Sequence, residues 1–99
     1  MKLSPREIAD FFVVGERYSV YSHRSQRHTE NRTITSVEHF ERGSNISYLK
    51  DNGETSSLYI SDNVHDMSLT DVVFMSTMKL MLKSHSGSMW TYQIIPRHP

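Results

Sequence analysis

The chain contains no cysteine. That excludes disulfides, thiolate catalysis and cysteine-ligated zinc, and it fits a reducing compartment. It also lacks net charge, because eleven Lys and Arg are matched by eleven Asp and Glu. Whole-protein attraction to nucleic acid or to a membrane surface is thereby weakened, which leaves room only for a local patch. No apolar run approaches the roughly 20 residues that cross a bilayer, so no membrane association is expected. The opening MKLSPREIADFFVV places Glu7 and Asp10 where a signal peptide needs apolar residues. A cytoplasmic location is the expectation, and the two glycosylation sequons, at Asn31 and Asn45, are read as chance. No repeat, linker or low-complexity tract divides the chain. Its 99 residues make one small domain, 1–99, large enough to bury roughly 60–70% of the unfolded surface in a single core.

The strongest local signal is the hairpin over residues 44–61, folded about Asp51-Asn52-Gly53. A two-residue turn would pair Lys50 with Thr55 and split the apolar residues between faces. A three-residue loop with Gly53 in the left-handed conformation pairs Lys50 with Glu54. Ile46, Tyr48, Leu58 and Ile60 then share one face, and that register should win.

Before the hairpin, Ser4-Pro5-Arg6-Glu7 is a helix-start signature with a capping box, and Gly15 is placed to end a helix of about ten residues. Ile8, Phe11 and Phe12 form its apolar stripe. A first strand follows over 17–23, with Tyr18 and Val20 inward. Residues 24–31 carry no apolar side chain and read as an exposed loop. A second strand over 32–42 spaces Ile34, Val37 and Phe40 by three, which predicts a bulge or sharp bend near Thr35-Ser36. Residues 61–66 are a polar connector.

Residues 67–87 support two readings. As a strand, Met78, Leu80 and Leu82 alternate with Lys79, Met81 and Lys83. As a helix over about 68–84, Ser68 and Asp71 cap it, while Phe74, Met75, Met78, Met81 and Leu82 share one side and Gly87 terminates it. The Met and Leu content favours the helix. A last strand over 89–95 puts Trp90, Tyr92 and Ile94 on one face, and residues 97–99 form a tail. The expected fold is therefore α+β: an N-terminal helix, a four-stranded antiparallel β-meander, a second helix and a closing C-terminal strand. The alternative is a small SH3-like or OB-like β-barrel with residues 72–83 as a strand. The VVGERYSVY start and the meander are similar to SH3-like barrels at the level of fold.

Chemistry leaves little trace. Six histidines (23, 28, 39, 65, 85 and 98) fall in no metal-binding spacing, so neither metal nor cofactor is expected. No nucleophile elbow, P-loop or GxGxxG occurs. A metal-free acid–base enzyme using Glu38, Glu41 or His39 is a minor alternative. Charge segregation is more informative: residues 17–32 hold four arginines and a single acid, whereas 51–71 hold five acids and no Lys or Arg. Tyr21, Arg24, Arg27, His28 and Arg32 are candidates for binding, since guanidinium forks suit phosphate or carboxylate groups. The competing reading is that the arginines answer the acidic stretch within the fold or across a homo-oligomer. Met75, Met78 and Met81 are candidates for an adaptable partner surface, or else core filler. The expected function is a non-enzymatic interaction protein, a small adaptor or inhibitor of a protein partner, with a homo-oligomer as a further expectation. Small virus-encoded inhibitors of host proteins have a similar profile. Nucleic-acid binding through the arginine-rich segment 17–32 is the alternative.

Overall fold

Ser4 caps the helix as its sequence requires. Its hydroxyl accepts from the Glu7 backbone N–H at 3.2 Å, and Glu7 accepts from the Ser4 N–H at 3.1 Å. In this computed structural model, which describes residues 4–61, 70–84 and 87–96, helix α1 spans only Pro5–Ala9. Two tight turns follow it, from the Phe11 N–H to Ile8 O and from the Phe12 N–H to Ala9 O. The Tyr18 hydroxyl takes over the next backbone groups, donating to Phe11 O at 2.9 Å and accepting from Val13 N at 3.1 Å. Gly15, expected to close the helix, instead leads into the sheet at φ +90°, with its N–H on Ile34 O.

Seven strands follow: β1 (Arg17–Ser22), β2 (Arg27–Phe40), β3 (Gly43–Lys50), β4 (Thr55–Ser61), β5 (Thr70–Met75), β6 (Lys79–Ser84) and β7 (Met89–Ile94). They form one antiparallel sheet in the order β4-β3-β2-β1-β7-β6-β5. Two meanders, β1–β4 and β5–β7, are thus joined by pairing of β1 with β7. The hairpin register is the three-residue one: Lys50 N–H donates to Glu54 O, Gly53 sits at φ +92°, and Ile46 faces Leu58. The expected bulge is present at Thr35, between the Ile34–Tyr48 and Ser36–Ser47 pairs.

The expected α+β fold with two helices is not the observed one. The segment assigned to a helix over about 68–84 contains β5 and β6, with a turn at 76–78 held by the Ser76 hydroxyl. The capping pair expected at Ser68 lies outside the described residues, as do most of the polar connector and the tail at 97–99. The physical reason for the error is that apolar residues occupy both faces here. Val72, Leu80 and Leu82 are buried while Phe74 is exposed, and an extra residue at Val73 shifts the alternation. That breaks period 2 and imitates a helical stripe.

The polar segment 24–31 is also largely strand, since β2 begins at Arg27 and turns back from β1 over residues 23–26. This end of the hairpin extends past the core, so its pairing needs no apolar side chain. A second bulge, at Thr29, separates the Val20–Glu30 and Tyr21–His28 pairs.

Every strand contributes to one core cluster, from Ile60 in β4 to Val72 in β5. Seven strands at about 4.8 Å spacing would span roughly 29 Å if flat, so a single cluster requires the sheet to curl. Helix α1 packs on β3 and β4. Phe12 meets Tyr18 and Tyr92 with ring centroids 5.4 and 5.3 Å apart, and Phe11 meets Phe12 at 5.2 Å. An antiparallel order of seven leaves the two outer strands, β4 and β5, parallel to one another. No hairpin can join a parallel pair, and among the described residues no backbone pairing links them.

Candidate interaction face

Directly opposed residues on neighbouring strands share a face, so the pairings locate each candidate. Tyr18, Arg32 and Lys50 are opposed across β1, β2 and β3 and lie on the inner face with Tyr18. Tyr21 belongs to the opposite, outer face. The sequence candidates are therefore divided. Arg32 stacks its guanidinium 4.1 Å from the Tyr48 ring centroid, 5.8 Å from that of Tyr92, and pairs with Glu30 at 2.5 Å. Lys50 reaches the same carboxylate at 3.8 Å. This charged group closes one end of the inner face. Burial pushes the Tyr92 phenol above its ordinary value, and the nearby Arg32 charge opposes that shift.

Arg17, on the outer face, makes a two-pronged contact with Asp51, whose other partner is the Asn31 amide at 3.2 Å. The Arg17 hydrogen bond, then Asn31, holds the Asp51 carboxyl below its usual range. Arg17 thus answers the acidic stretch within the fold. Arg24 and Arg27 remain exposed at the β1–β2 hairpin tip. Arg24 borders a depression of about 520 Å³ with His23, Gly87, Ser88 and Met89.

The outer face brings two sets of sequence candidates together. Register places Phe74 opposite Met81, Met81 opposite Thr91, Thr91 opposite Tyr21, and Tyr21 opposite His28. One continuous row therefore crosses β5, β6, β7, β1 and β2. His23 lies over it, edge-on to the Tyr21 ring at 5.0 Å and with Nε2 2.7 Å from Thr91 Oγ1. Lys79 and Lys83 flank Met81 on the same face by strand alternation. Phe74 is 48% exposed and the bulged Val73 51%. Met78 stands exposed in the neighbouring turn, while Met75 packs against the core and lines a groove of about 470 Å³ with Phe11 and Val13.

Sequence reasoning missed Phe74, His23, Thr91, Lys79 and Lys83 as parts of this face. The signal was available in the strand reading of 78–83: Met81 and both lysines fall opposite in parity to Leu80 and Leu82. Applying that parity to Val72 and Phe74 required knowledge of the bulge at Val73.

The acid–base candidates sit elsewhere. His39 Nδ1 is 2.9 Å from Ser44 Oγ, but Ser44 is 1% exposed beneath α1, so its hydroxyl is closed to a substrate. Glu38 and Glu41 are exposed. Among the described residues no three His, Asp or Glu side chains cluster as metal ligands would, and no helix is long and apolar enough to cross a membrane. The chain matches no protein-family model, and no curated protein or solved structure matches it significantly.

Proposed function

We propose that the chain is a binding module for a protein partner, an adaptor or inhibitor rather than an enzyme, and that it docks through the outer face of β5, β6, β7 and β1. The observation that carries this reading is the Phe74–Met81–Thr91–Tyr21–His28 row. A sheet face turned to solvent is ordinarily polar, whereas this one presents aromatic and methionine side chains, the types that anchor protein interfaces. The flanking lysines suit a partner with carboxylates at the rim of its contact surface. Nucleic-acid binding is less well supported by the placement of charge, because Arg17 and Arg32 are both engaged by carboxylates. That leaves two arginines, Arg24 and Arg27, at the tip, a small number for affinity at physiological salt.

The test is affinity capture from the native cell with and without nuclease, using the wild-type chain and a Phe74→Ser, Met81→Ser double variant. A protein retained after nuclease and lost with the variant supports the reading. Capture that depends on nuclease-sensitive material, or that survives the double substitution, overturns it.

A further inference from the structure

We infer that β4 is the self-association edge of the protein, pairing antiparallel with β4 of a second copy about a two-fold axis at Leu58. In the hairpin, Lys50 N–H bonds Glu54 O. By the alternation of antiparallel ladders, Ser56, Leu58 and Ile60 then point their backbone groups at β3, and Thr55, Ser57, Tyr59 and Ser61 point theirs away. Nothing among the described residues pairs with that outward side.

The two edges of the sheet differ in how they are guarded. Edge strands are usually blunted by charge, proline or a bulge. β5 carries Asp71 and the bulge at Val73. β4, TSSLYIS, has no charged residue and no proline, and its ladder with β3 runs without a register shift. A straight, neutral edge of seven residues is complementary to itself. Centring the axis on Leu58 overlaps the whole strand, pairing Ser57 with Tyr59 and Thr55 with Ser61 of the other copy. All outward donors and acceptors then meet, and the two half-buried leucines face each other where the core reaches the rim. No like charges are opposed along the strand, and the chain as a whole carries no net charge to repel its copy. This edge lies at the opposite side of the sheet from the Phe74–Met81 end of the outer face, so the inference does not depend on the docking proposal.

The test is sedimentation velocity from about 1 to about 200 μM, the range in which weak dimers dissociate. A concentration-dependent dimer is expected. Ser57→Pro removes an outward N–H without touching the bonds to β3, and it should raise the dimer dissociation constant by at least about tenfold at unchanged melting temperature. Should that variant fail to fold, Ser57→Lys places a charge on the edge and should act in the same direction. Leu58→Cys, in a chain with no other cysteine, should oxidise to a linked dimer, since non-hydrogen-bonded pairs hold Cα atoms about 4.5 Å apart. A monomer throughout the range, or a dimer indifferent to the folded Ser57 variant, overturns the inference.

Discussion

The two meanders present similar inner faces and dissimilar outer ones. In β1–β4 the inner face holds Tyr18, Val20, Ile34, Ile46, Tyr48 and Ile60, and in β5–β7 it holds Val72, Leu80, Leu82 and Tyr92, all buried. On the outer side, β3 and β4 turn Asn45, Ser47, Thr55 and Ser57 to solvent, and their two exposed apolar residues, Leu49 and Tyr59, each stand opposite a polar one (Thr55 and Asn45), whereas β5 and β6 set Phe74 directly opposite Met81. Folding accounts for the inner residues of both. Scattered apolar residues are ordinary on a surface, but folding does not account for the adjacent Phe74–Met81 pair and its continuation to Tyr21, so that row is where a binding role is sought.

If the inner faces are equivalent, deleting a buried side chain from either should cost alike. Ile46→Ala and Leu80→Ala, at positions 1% and 0% exposed, should each lower unfolding free energy by about 2–5 kcal/mol in urea titrations. A cost below about 1 kcal/mol for one of them would show that its meander is not part of the shared core. A smaller effect is expected where the first meander ends in charge. Arg32→Ala removes the stack on Tyr48 and leaves Glu30 only its longer contact to Lys50, and should cost about 1–2 kcal/mol. The exposed Arg17 pair is a control, and Arg17→Ala should leave the urea midpoint unchanged.

Alkaline pH probes the tyrosines that link the two halves. Burial raises the phenol of Tyr92, and of Tyr18, above the ordinary value of about 10. Both are protonated in either state below pH ~10. Above it the unfolded chain releases its protons first, so stability present below that pH is lost as pH rises. Tyr92→Phe should therefore show a shallower fall in stability between pH 9 and 11 than wild type. The smallest change concerns the outer face: Phe74→Ser or Met81→Ser should shift stability by no more than about 0.5 kcal/mol while reducing binding of a hydrophobic dye. A large loss of stability there would make these residues structural and remove the contrast between the outer sides.

What could be read from the residues follows the same division. Residues 44–61 disclose their register because Ile46, Tyr48, Leu58 and Ile60 gather on one face and leave only Leu49 and Tyr59 among polar residues on the other, and Gly53 permits only certain turns. Thr35 disclosed its bulge because Ile34, Val37 and Phe40 break a pattern that is otherwise clear. In residues 70–84 the apolar residues on both faces removed the periodicity that separates strand from helix, and the bulge at Val73 completed the imitation. The candidate site was legible as residue types but not as an arrangement. Tyr21 and His28 do share a face with Met81, through a pairing of β1 with β7 that spans most of the chain. Sequence proximity groups Arg32 with them, yet one bulge and the alternation of β2 send it to the other side.

That β1–β7 pairing also sets the order of assembly. β1 obtains its partner β2 from a tight hairpin, so this contact can form early and locally. Its other edge must wait for residues 89–94, more than half the chain later, and only then do the two meanders share a core. Closure of so long a loop is slow relative to hairpin formation. During synthesis the four-stranded meander therefore waits with Tyr18 and Val20 incompletely covered, and its β1 edge is open to any strand that arrives before β7. The same adjacency brings the first and last strands side by side in the middle of the sheet. A circular permutant that joins them and opens within 62–69 would turn this late, distant contact into a local one, and it should fold faster than the natural order.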